Sequence, residues 1–192
     1  MTRLLEAKPF KLGKKLIQKT FLPSKSKLVC HPLVLEPYEA WTLIHKQAFC
    51  SSNALKIHLS KSPSIATISI PEEDKPQRST YYFVNNFWSV HLNSNAHVES
   101  LRIAEINDPD TDTIIENAWF ECVELMYRPL DHKFGWVSYR DVINDLMPTK
   151  LKIKFFGSPS ISVDFILQNS GMNHRKLERL RSMYRKEYKD FE

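Results

Sequence analysis

The sequence predicts an α+β protein: a mixed or antiparallel sheet with several helices and a C-terminal helix-turn-helix-like hairpin. Three observations carry that expectation. Segments 54–59 and 150–156 alternate with period two, Leu55, Ile57 and Leu59 against Lys56 and His58, and Leu151, Ile153 and Phe155 against Lys150, Lys152 and Lys154, as half-buried strands do. Ile114, Ile115, Ala118, Trp119, Cys122 and Met126 recur instead at helical intervals. The last thirty residues run from an apolar stretch, 161–169, through Ser170-Gly171-Met172-Asn173 to a basic stretch, 174–189.

Along the chain, residues 11–21 are expected to form a short helix, with Leu12, Leu16 and Ile17 near one side and lysines around the rest, ended by Pro23. Segment 28–35 suggests a strand, and Pro37 suits the first turn of a helix reaching Cys50, with Trp41, Ile44 and Ala48 on one face. Segment 64–70 is a further strand, and the charged loop 71–79 separates it from the aromatic run 80–92. Tyr81, Tyr82, Phe83, Phe87 and Trp88 have the composition of a core strand, which we favour over a platform for stacking bases. Segment 97–106 fits strand or helix. Thr113 and Glu116 have capping-box spacing ahead of the helical recurrence, with a hairpin of 119–127 and 134–138 as the competing reading. Ser138 and Asp141 repeat that spacing before Val142, Ile143 and Leu146, and Pro148 marks the stop.

The chain's 192 residues suffice for a self-supporting core. They are expected to divide into a basic N-terminal arm (1–29), an α+β body (30–157) and a C-terminal basic helical hairpin (158–192). Charge follows the same division. Residues 1–29 hold eight Lys or Arg against Glu6 alone, residues 173–192 hold seven against four acids, and an overall +5 therefore leaves −5 in between. Basic ends around an acidic body suit termini that contact a polyanion, although solvated charged faces explain such runs as well. Cys30, Cys50 and Cys122 are odd in number and widely spaced, which argues against a disulfide framework and for a reducing compartment, taken as the cytoplasm. No membrane-spanning apolar run and no secretion h-region occur, so no membrane partner is expected.

Only four glycines are present, Gly13, Gly135, Gly157 and Gly171, too few and too scattered for a phosphate-cradling loop. No G-x-G-x-x-G, Walker A loop or G-x-S-x-G elbow occurs, so no nucleotide cofactor is expected. Asp108, Asp110 and Asp112 alternate like the start of a calcium loop but lack its glycine and final glutamate; helix-dipole stabilisation explains them better. Cys30, His31, His45 and Cys50 lack the paired spacing of zinc ligands, and His91 with His97 is no stronger. Asp131 and His132 with Glu121 and Glu124 would need convergence that sequence does not show. No catalytic or metal site is assigned, and an enzyme is the less favoured class.

With Gly171 as the turn glycine, the positions where helix-turn-helix motifs bury apolar side chains fall on Ile166, Met172, Leu177 and Leu180. Leu167 departs from the motif, which favours a small residue four before the glycine. Asn173 is the expected N-cap of the second helix. His174, Arg175, Lys176, Glu178 and Arg179 would then project where groove-facing residues sit, with Arg181, Arg185 and Lys189 forming a phosphate-facing row. Leu177, Leu180, Tyr184, Tyr188 and Phe191 would face inward. The expected function is a DNA-binding protein, a transcriptional or replication regulator, that contacts duplex DNA through this segment and whose body mediates homodimerisation or partner contact. The alternatives are a protein-interaction module or inhibitor, for which 158–192 is a plain helical hairpin, and a nucleic-acid-processing enzyme.

Overall fold

The computed structural model describes residues 13–21, 26–48, 65–68, 79–95, 101–127 and 134–188. The protein is α+β, with seven α-helices and five strands among the described residues. Two compact units divide the chain, Met1–Leu35 with Lys61–Ala118, and Glu36–Ser60 with Trp119–Glu192.

The first unit contains the sheet. Its strands are β1 (Gly13–Phe21), β2 (Ser26–Cys30), β3 (Ile65–Ile68), β4 (Ser79–Phe83) and β5 (Leu101–Pro109), in the order β1-β5-β3-β4-β2. The sheet is mixed: β1 with β5 and β3 with β4 are antiparallel, while β3 with β5 and β2 with β4 are parallel. Covalent reach shows that it is not flat. Phe21 and Ser26 lie on strands at opposite edges, only five peptide links apart. Five links extend at most about 18 Å, whereas four interstrand spacings alone come to roughly 19 Å. The register adds a further offset along the strands, because Phe21 pairs with Leu101 near the start of β5 while Ser26 pairs with Ser79 at the start of β4. The sheet must therefore coil until the end of β1 approaches the start of β2. Strand β3 is covered on both faces: consecutive residues Ile65, Ala66 and Thr67 are all buried, although they alternate between faces.

Three sequence expectations change here. Residues 13–21 form a strand, not a helix, because antiparallel pairing with β5 outweighs the weak pattern of Leu16 and Ile17. The aromatic run breaks after β4 into α2 (Phe87–Asn95), and the Phe83 and Phe87 rings meet at 6.2 Å. Asn86 makes that break, with φ at 56° and its Oδ1 accepting from the Ser89 hydroxyl and amide. The open segment 97–106 resolves as β5 over its described part, and the expected strand at 54–59 lies outside the described residues. Helix α3 (Thr111–Glu124) crosses the unit boundary, which excludes the competing hairpin. Its cap is Asp110 instead of Thr113: the carboxylate accepts from the Thr113 hydroxyl at 2.8 Å and the Thr113 amide at 3.3 Å. Those bonds, the hydroxyl first, hold the Asp110 carboxyl below its ordinary pKa.

The second unit is helical. It holds most of α1 (Leu35–Ala48) and the end of α3, followed by α4 (Gly135–Leu146), α5 (Thr149–Phe156), α6 (Val163–Ser170) and α7 (His174–Tyr188). Trp41, Ile44, Trp119, Tyr139 and Ile143 are among its buried side chains, and the buried Cys122 thiol donates to Pro37 O at 3.2 Å. Helix α4 begins before the expected cap, leaving Ser138 buried in its first turn. Segment 150–156, expected as a strand with a basic face, is helix α5. Pro148 precedes its first turn, and Gly157 closes it with φ at +70°. Lys152 is buried and Ile153 is 52% exposed, the reverse of what a strand with solvated lysines requires.

Candidate nucleic-acid interface

Helices α6 and α7 both pack on α4, and a chain of local hydrogen bonds sets their limits. Ser162 caps α6 by accepting from the Phe165 amide at 3.1 Å. Gly171 ends α6 with φ at +66° and ψ at 11°, a conformation that costs glycine little and other residues more. The Ser170 hydroxyl then accepts from Met172 N at 3.2 Å. Asn173 caps α7, its Oδ1 accepting from the Lys176 amide at 2.8 Å. Three residues, 171–173, thus carry the chain from one helix to the next.

The four expected apolar positions are all buried: Ile166 at 0%, Met172 at 8%, Leu177 at 1% and Leu180 at 8% exposure. Tyr184 extends the stripe, its ring 5.8 Å from that of Phe134. Leu167, where the motif favours a small residue, is half-buried.

The rest of the α7 surface is largely exposed and basic. Asn173, His174, Arg175, Lys176, Arg179 and Arg185 are all exposed. Arg181 differs, being half-buried with its Nη1 2.8 Å from Glu178 Oε1, one turn away. An exposed pair of this kind holds its partners weakly, at about 0.2–1 kcal/mol. Lys189 and Phe191 lie outside the described residues. Ser182 and Lys186, neither of which the motif singles out, are exposed as well.

Support for this region comes from α4 and α5. Asn144 binds the backbone of Ile161, just ahead of α6, and Lys152 Nζ donates to Asn144 O at 2.7 Å. That carbonyl belongs to the last turn of α4, where no intrahelical donor reaches it. Phe155 meets Phe120 at 5.7 Å and Phe156 meets Phe165 at 5.6 Å. No local pattern marks Asn144, whose partner is 17 residues away.

Among the described residues, the other sequence candidates do not come together. No group of three or more His, Cys, Asp or Glu suited to a metal ion occurs among the described residues. His45 stacks on Trp41 at 4.7 Å, and His31 Nδ1 accepts from the Leu33 amide at 3.1 Å. Cys50, His97, Asp131 and His132 lie outside the described residues. No described helix is long and apolar enough to cross a membrane. Comparison with protein-family models, with curated proteins and with solved structures finds no match to this chain.

Proposed function

We propose that the protein binds duplex DNA through α7 and acts in the cytoplasm as a transcriptional or replication regulator, its body serving dimerisation or partner contact. One observation carries the reading. Helix α7 buries Leu177, Leu180 and Tyr184 on one side and exposes Arg175, Lys176, Arg179 and Arg185 elsewhere, after a short turn with a left-handed glycine. A helix of about 10–12 Å diameter fits the major groove of B-DNA, about 12 Å wide, and a recognition helix presents its N-terminal residues to base edges there.

The test is fluorescence anisotropy of the full chain with heterologous duplex DNA from low to moderate salt. Binding that weakens linearly in log salt is expected, and Arg185→Ala should flatten the slope by about one unit. Lys176→Glu should keep its thermal midpoint, since an exposed helix position tolerates the change, and lose affinity. No duplex binding below about 100 mM salt, where phosphate contacts are strongest, would sink the proposal in favour of a protein-interaction module.

A further inference from the structure

Successive residues of an α-helix turn by about 100°, so the buried stripe fixes the direction of every other side chain on α7. Arg175, Arg179, Ser182 and Lys186 follow at spacings of four, three and four. Their directions span about 60° and centre within roughly 20° of the direction opposite Leu177, Leu180 and Tyr184, and all four are exposed. His174, Glu178, Arg181 and Arg185 lie on one flank, with Lys176 and Met183 on the other. The flank is mixed in charge and holds the Arg181–Glu178 pair. The outward ridge contains no acid, and among the described residues none of its three cations is in an ion pair.

Building on the proposed contact between α7 and duplex DNA, we infer that this ridge determines sequence specificity, with Ser182 and Lys186 extending base reading beyond the first turns. Lys186 lies eleven positions after Arg175, an axial length of about 16 Å, or about five base pairs at 3.4 Å each. Arginine and lysine donate to O6 and N7 of guanine, and a serine hydroxyl both donates and accepts at a base edge. The small Ser182 side chain lets the helix approach the groove floor between the longer cations. Arg175 and Arg179 are about 6 Å apart along the axis, which selects guanines about two base pairs apart. The ridge carries no aromatic residue on which an unpaired base could stack. The major groove of A-form RNA is too narrow for side chains to read. The chemistry therefore favours B-form DNA.

The experiment is selection from a pool of random-sequence duplexes with the wild-type full chain, Ser182→Ala, Lys186→Ala, Lys186→Gln and Arg185→Ala, each checked by thermal melting. The wild type should enrich a guanine-containing site. Ser182→Ala and Lys186→Ala should each relax one position of that site, losing roughly 5- to 150-fold in discrimination there. Lys186→Gln keeps most of the side-chain length, so it separates loss of recognition from loss of fold if Lys186→Ala melts early, and it should alter the same position. Arg185→Ala, on the flank, should weaken every duplex alike and keep the consensus. An unchanged consensus in the Ser182 and Lys186 variants, or an altered one in Arg185→Ala, overturns the ridge assignment and leaves the DNA proposal standing. Equal binding of all sequences by the wild type also overturns it, reducing α7 to a charge contact. Only failure of the wild type to bind any duplex at low salt removes the proposed function itself, and the ridge assignment with it.

Discussion

The side-chain amide of Asn144 pairs with the backbone of Ile161 as a neighbouring strand would: Ile161 N donates to Oδ1 at 2.7 Å, and Nδ2 donates to Ile161 O at 3.1 Å. Ile161 is only 2% exposed, so water replaces these bonds poorly. The pair ties the end of α4 to the segment that enters α6.

Asn144→Ala should destabilise the protein by about 2 kcal/mol, because each buried backbone group left without its partner costs about 1–3 kcal/mol before relaxation. Asn144→Asp should also destabilise, since it keeps an acceptor for Ile161 N but faces Ile161 O without a donor. Urea unfolding at constant m-value measures both. A loss below about 0.5 kcal/mol in Asn144→Ala, the size of an ordinary surface change, would show that the bridge is dispensable.

Helix α7 and its turn are legible in the sequence because their determinants are local: the cap Asn173, the left-handed Gly171 and the spacing of Leu177, Leu180 and Tyr184 all lie within fifteen residues. Strand β1 is not, since what makes it a strand is pairing across the chain, as between Ile17 and Glu105. Helix α5 misleads for another reason. Its alternation of lysine with apolar residues assumes solvated lysines, yet Lys152 buries its stem and satisfies its ammonium at Asn144 O, while Ile153 turns outward. The aromatic run misleads because the left-handed Asn86 divides it between a strand and a helix.

His31 predicts a pH dependence. Burial lowers its pKa below the ordinary value of 6.5, and Nδ1 accepts from Leu33 N at 3.1 Å, which a protonated ring could not do. The folded state thus favours the neutral ring, whereas the unfolded chain takes up a proton as pH falls through about 6.5. Stability should therefore decline below that pH until the folded pKa is reached. His31→Asn retains a side-chain acceptor for the Leu33 amide and cannot titrate, so its melting temperature should fall less between pH 7.5 and pH 5. Burial also lowers the His91 pKa and contributes with the same sign, but it is common to both proteins. Parallel pH profiles for wild type and His31→Asn would rule His31 out as the source.

Gly171 separates backbone strain from crowding. Its φ is +66°, yet a Cβ built on it would meet nothing within 4 Å, and the same holds for Gly157 with φ at +70°. The penalty for adding a Cβ therefore comes from the left-handed conformation, at about 1–2 kcal/mol for most residues and less for asparagine. Stability should therefore rank wild type, then Gly171→Asn, then Gly171→Ala, with Gly171→Val last because β-branching worsens the strain. Gly171→Asn should keep the buried positions of Ile166, Met172 and Leu177, and so should bind duplex DNA like the wild type wherever both are folded. Gly171→Val should distort the path into α7 and weaken DNA binding even at temperatures where its far-ultraviolet circular dichroism remains intact. Equal destabilisation by Asn and Val would contradict the conformational origin, because a Cβ at this position meets no neighbour.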